Sequence, residues 1–277
     1  MTGAEEPAPD VRAELRRAVT ALASPGASGH GVTSDLSIDE ALLLHSIGWE
    51  PVDLVCGVSV ASVPAGVWSW GMGEIAVASD AQGLAFTGAV QRISEECRRV
   101  RGHGVVGVHV EVTVDRHHID VELVGTAVRP VQGAEGGEVF VSDLSGRDFT
   151  LLHQAGWGPV GLAHGASFVY APRRSAATSI RQTGANVELT NYTEAMYSAR
   201  ELAMERMQQT AITMRGTGIV EVKVTEGPMP FAGHAIGFSA WGTTVRLVAD
   251  GHRYLQPRMV VPLDDAVVSF EAESLRG

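Results

Sequence analysis

Cysteine is nearly absent from this sequence. Cys56 and Cys97 are the two in 277 residues, too few for a disulfide framework, so a packed core must hold the fold. Basic clusters are missing too. Arginines occur at most in local pairs and the formal net charge is -11, which excludes the basic footprint that a nucleic-acid partner needs. The start, MTGAEEPAPD, lacks the basic and apolar regions of a signal peptide, and the expected compartment is the cytoplasm. The longest apolar run, VDLVCGVSVASVPAGVWSWGMG, carries Asp53 and Pro64 and is rich in glycine, serine and valine, so it reads as buried strand and no membrane span is expected. No nucleophile elbow, phosphate loop, C-x-x-C or H-E-x-x-H motif occurs, which leaves no catalytic signature. What the chain does have is length and apolar content, 45% hydrophobic, enough for one large domain or two ordinary ones.

It also says much the same thing twice. LHSIGWEPVDLVCG, starting at Leu44, returns as LHQAGWGPVGLAHG, starting at Leu152, and from Ser34 to Pro64 about half the positions are identical at an offset of 108. After a six-residue insertion, RGHGVVGV from Arg101 matches RGTGIVEV from Arg215; three residues more, and GTAVR at Gly125 matches GTTVR at Gly242. The gaps fall between expected elements, as a duplicated domain would place them.

Within each copy the pattern is regular. Ser37 and Glu40 form a capping box for a short helix through Leu42, Leu43 and His45 that stops at Gly48. A β-rich run follows over Val52 to Val63. Phe86, Val90, Ile93, Cys97 and Val100 recur at helical spacing, predicting a helix from Ser79 to Val100, with a counterpart from Thr193 to Met214. Val108, Val110, Val112 and Val114 alternate with His109, Glu111 and Thr113, and Ile119, Val121 and Leu123 with Asp120 and Glu122, which predicts a hairpin turning over Asp115 to His118. The expected fold is α+β: two tandem copies of a β-α-β-β domain, each led by a short helix, with the helix packed on a mainly antiparallel sheet. The boundaries are an N-terminal arm with a weak amphipathic helix (1–33), domain 1 (34–129), a linker (130–141), domain 2 (142–249) and a C-terminal extension with strand-like stretches (250–277).

The strand carrying VCGVSV, a helix of the ARELAMERM type, GHGVVGVHVEV and a closing VELVGTAV resemble the YbjQ-like heavy-metal-binding domain family, as a tandem repeat over Ser34 to Arg129 and Ser142 to Arg246. Tyr192, Glu194 and Ala199-Arg200-Glu201 look like that family's helix start. The resemblance implies small α+β domains that assemble into rings, commonly pentamers. Copy two departs from the pattern in lacking the cysteine, and copy one in its less regular helix.

Several side chains are candidates for chemistry. Cys56 becomes His164 in the second copy; both are metal ligands by type, but a lone cysteine in an apolar strand reads first as a small core residue. His45 and His153 each precede a tryptophan by four residues, the spacing that would stack imidazole near indole on a helix. Met196, Met204, Met207 and Met214 form a stripe, and Cys97 matches Ala211; both read as core filling. The sharpest constellation is on the first hairpin, where Glu111 falls opposite Glu122, with His109 along the same face and Asp120 diagonal. Opposed carboxylates repel unless a proton, a basic group or a metal lies between them, and two glutamates with a histidine make a plausible divalent-metal shell, for zinc, copper or nickel. The plain alternative is a solvated acidic face. His117 and His118, with Asp115, form a lesser group at the hairpin tip, and His234 matches His117.

The leading functional expectation is a non-enzymatic homo-oligomer built from the two related domains. A divalent-metal-binding protein using His109, Glu111 and Glu122, or Cys56 and His164, is the alternative. A small-molecule enzyme using His45 and a neighbouring carboxylate is the weaker third reading.

Overall fold

The computed structural model describes residues 32–64, 73–115, 117–132, 137–171, 189–228 and 234–254. The helix expected in the N-terminal arm and the strand-like stretches of the C-terminal extension lie outside them. In chain order the elements are α1 (Ile38–Ser46), β1 (Trp49–Ser62), β2 (Gly73–Glu74), α2 (Ala76–Arg99), β3 (Gly104–Val114), β4 (His118–Pro130), β5 (Phe140–Val141), α3 (Gly146–Gln154), β6 (Trp157–Tyr170), α4 (Thr190–Thr213), β7 (Gly218–Pro228) and β8 (Ala235–Leu247). The fold is α+β. Among the described residues two four-stranded sheets run in the orders β1-β4-β3-β5 and β2-β6-β8-β7, antiparallel except where β5 joins β3 in parallel.

Local chemistry starts each half in the same way. The Ser37 hydroxyl accepts from the Glu40 amide while the Glu40 carboxylate accepts from the Ser37 amide, closing the expected capping box on α1. Ser145 caps α3 through the Asp148 amide. Glu40 reaches further and accepts from the Gly146 amide at 3.1 Å, so one carboxylate serves the N-termini of both short helices. Burial works to raise its pKa, but the bonds from Ser37 and Gly146 and the charge of Arg147 outweigh it and hold the pKa low.

The long helices sit on their sheets through glycine. A Cβ on Gly57 would come within 2.3 Å of the Ala89 carbonyl, and one on Gly165 within 2.0 Å of the Ala203 carbonyl, so only glycine lets α2 and α4 approach β1 and β6. On α4 the facing residues are Ala195, Ala199, Ala203, Met207 and Ala211, all buried. This ladder of mostly small side chains at four-residue spacing corrects the methionine stripe expected as core: Met207 is buried, Met204 and Met214 are half-buried and Met196 is exposed. Cys97 is fully buried in the α2 core, as expected.

The halves interlock. Strand β2, from the first half, pairs with β6 of the second at Gly73↔Tyr170 and Glu74↔Val169. Strand β5, the last two residues of the segment read as a linker, pairs with β3 at Gly104↔Phe140 and Val105↔Val141. Two-residue strands carry no periodicity, which is why the sequence did not reveal them. Helix α2 lies between the sheets, with Val55, Ile119, Val121 and Leu123 of the first sheet and Leu162, Phe168 and Trp241 of the second in one continuous core.

Candidate functional site

The outer face of the first sheet gathers most of the expected ligands. Gly57 must point at α2, so strand alternation turns its neighbours Cys56 and Val58 outward. Cys56 is therefore exposed, which corrects its reading as a core residue. A bulge between Val106 and His109, with Gly107 at φ +65°, resets β3 so that His109, Glu111 and Thr113 face the same way.

Across the sheet the register is Cys56↔Val124↔His109 in one row and Val58↔Glu122↔Glu111 in the next. Glu111 and Glu122 are thus directly opposed, as the alternation predicted. Cys56 and His109 lie one row along, on either side of Val124. Burial first, and then the Glu96 and Glu122 carboxylates, push the Cys56 thiol pKa up, so the thiol is protonated and a poor soft ligand at neutral pH. Near the turn His118 lies 3.5 Å from Asp120 and 3.9 Å from Asp115. Among the described residues no three His, Cys, Asp or Glu side chains converge as a metal ion would require. The face therefore brings Glu111 and Glu122 together without closing a ligand shell.

His164 is elsewhere. It lies on the matching face of the second sheet, where α2 covers it: the Phe86 and His164 rings stack with centroids 4.2 Å apart and planes 13° from parallel. Burial lowers its pKa to about 4, against a weaker opposing bond to the Gly83 backbone, so the ring is neutral at pH 7. Cys56 and His164 occupy equivalent strand positions but opposite environments, one open and one sealed, and do not form a common site.

The seam between the halves is polar as well as apolar. Gln82 Nε2 donates to the Ser239 hydroxyl at 2.6 Å, and the Phe168 amide donates to the Ser79 hydroxyl at 3.1 Å. Arg206 grips Glu74 with both terminal nitrogens, its Nη2 donating to Oε2 at 2.9 Å, a bidentate pair that ties β2 to α4. Burial works to raise the Glu74 pKa, but the bonds from Arg206, Ser79 and Ser167 and the Arg206 charge together outweigh it and the net shift is downward. Nothing in the sequence signalled this pair, because its members lie in different halves.

The His–Trp spacing does not give the expected stacks. Helices α1 and α3 end before Trp49 and Trp157, which begin strands, so the i, i+4 geometry is never formed. His153 instead meets Trp49 of the other half, ring centroids 6.5 Å apart, and Phe149; Trp157 Nε1 donates to His252 Nδ1. His153 lines an open cleft of about 650 Å³ with Trp49, Phe140, Phe149, Trp157 and Arg246. Burial and then Arg253 lower its pKa. His234, the counterpart of His117, is engaged by the Tyr192 hydroxyl at 2.7 Å.

No helix among the described residues is long and apolar enough to cross a membrane. The sequence profile of the YbjQ family, described as "Putative heavy-metal-binding", matches residues 173–248. The encapsulin nanocompartment protein Rv1762c of Mycobacterium tuberculosis is 36% identical over 246 residues, covering 84% of this chain and 92% of that protein. No solved structure matches the chain. With 36% identity covering 84% of this chain and 92% of its relative, this protein belongs to the family of the mycobacterial encapsulin nanocompartment protein.

Proposed function

We propose that this protein is a non-enzymatic, cytoplasmic assembly protein, in which two duplicated YbjQ-like units per chain build a closed homo-oligomer of the ring or shell type. The observation that carries this reading is the 36% identity, over 84% of this chain and 92% of the relative, to a protein named for a nanocompartment. The matching three-strand orders β1-β4-β3 and β6-β8-β7 and the equal helix lengths of the halves support the duplication, and closed symmetric assembly is the common outcome for a chain carrying a self-complementary or head-to-tail surface. Size-exclusion chromatography with light scattering, followed by negative-stain imaging, tests it. A discrete multimer of closed outline is the expected result; a clean monomer at micromolar concentration ends the reading.

A second reading is divalent-metal binding at the first sheet's outer face, favoured by the opposed Glu111 and Glu122 beside His109. Elemental analysis of purified, untagged protein and titration with zinc, copper and nickel test it. Binding weakened at least tenfold by Glu111→Ala supports it; binding indifferent to that substitution removes it.

A further inference from the structure

Among the described residues, the seam between the halves has an unfilled twin at the two ends of the chain. In the first half the outer side of α2 is buried against the second sheet, with Ser79, Gln82 and Phe86 all below 5% exposed. The helices α2 and α4 are both 24 residues long, and the α4 residues in those places are Thr193, Met196 and Arg200, of which Met196 and Arg200 are exposed. On the sheets the contrast is as sharp: Leu162, Ala166 and Phe168, under α2, are 0%, 4% and 3% exposed, whereas their counterparts Leu54, Val58 and Val60 are 39%, 44% and 61% exposed. Edges follow the same rule. Strand β3 has β5 on its outer edge, with the Phe140 ring lying where a side chain on Gly104 would be; above the matching Gly218, on β7, an edge strand among the described residues, the nearest described atom is in Val245 at 3.8 Å. The counterpart of Phe140–Val141 is Val32–Thr33, both exposed and in no strand.

We propose that a second copy of this chain fills these vacant places head to tail: the outer side of α4 docks on the open face of the first sheet of the next chain, and Val32–Thr33 of that next chain pairs with the edge of β7. The proposal rests on the duplication and assembly proposed above, and names the surfaces that carry them. The occupant is another copy because every element required is the equivalent of one already used within the chain, and the two gaps run in the same direction. An apolar strip at Leu54, Val58 and Val60 is what such a face needs to cover. Charge agrees as well. Arg200 stands where Phe86 stands in the internal seam, so it comes to rest over Cys56, the counterpart of His164, beside Glu122 and Glu111. A guanidinium from the second copy is the basic group that lets those two carboxylates face each other. The contact is heterologous, with different surfaces on its two sides, and it repeats until a ring closes.

Two substitutions at positions exposed in the single chain test it: Val60→Asp on the sheet side and Arg200→Glu on the helix side. Light scattering of wild type, each variant and their equimolar mixture is the measurement. The expected result is a multimeric wild type, a monomer for each variant, and a two-chain species for the mixture, because the intact α4 of the first variant meets the intact sheet of the second while the remaining contact sets Asp against Glu. Variants that keep the wild-type mass, or a mixture that stays monomeric, overturn the interface while leaving assembly by other surfaces standing. A monomeric wild type removes the assembly reading itself.

Discussion

Phe86 and His164 lie face to face, 4.2 Å between ring centroids, although one belongs to the helix of the first half and the other to a strand of the second. The imidazole in the stack is neutral at pH 7, because burial lowers the His164 pKa to about 4.

Between about pH 6.5 and 4 the unfolded chain takes up a proton at this position that the folded chain refuses. Stability is therefore fully present above pH 6.5 and is lost as pH falls toward 4, by on the order of 3 kcal/mol. Thermal melts of wild type and His164→Phe across this range check it. The wild type is expected to lose stability relative to the variant on acidification; parallel curves would refute the assignment.

Gly57 and Gly165 hold the long helices against their strands. Gly57→Ala and Gly165→Ala are each expected to destabilise by about 1–3 kcal/mol through overpacking. Gly227→Ala, where a Cβ meets nothing within 4 Å, serves as the control. Chemical denaturation midpoints read the difference.

The Glu74–Arg206 pair fastens β2 to α4. Glu74→Gln keeps the shape and removes the charge, and because both side chains are partly exposed the loss is expected to be modest, about 1 kcal/mol. The pair's contribution is present above the ordinary carboxylate range and disappears as pH falls through the lowered Glu74 pKa. A series of melts from pH 7 downward shows whether the wild-type advantage shrinks as the Glu74 carboxylate takes up its proton.

The two thiols differ by burial. Cys97 is 0% exposed and its pKa is pushed up to about 11, with Sγ donating to the Gly104 carbonyl, so it should react with a thiol reagent at the rate of unfolding. Cys56, exposed but held protonated by burial and its carboxylate neighbours, should still react well ahead of Cys97 in the Val60→Asp chain. A count of one fast thiol in that variant and two in denaturant is expected; two fast thiols under native conditions would contradict the core placement of Cys97.

Much of this arrangement was legible in the sequence, for reasons visible at particular residues. Strict alternation from Val108 to Val114 and from Ile119 to Leu123 fixed which face each side chain takes, and with a short turn it fixed the register that opposes Glu111 and Glu122. The S-x-x-E box at Ser37 marked a helix start because its bonds are local. In β1, by contrast, VCGVSVAS offers small or apolar residues on both faces, so alternation could not choose between Cys56 and Gly57; the closeness of α2 to Gly57 chose. The methionines of α4 looked like core by type, yet α4 approaches so near β6 that alanine is what fits.

The sequence by itself determined the long local elements, their order along the chain and the polar face of the first hairpin, because caps, periodicity and turns act over a few residues. Only the tertiary structure decided what covers what. It placed β2 and β5 in the opposite sheets, laid α2 over His164 while leaving Cys56 bare, and joined Glu74 to Arg206. Those contacts depend on which surface of one half meets the other, and no periodicity within either half encodes that.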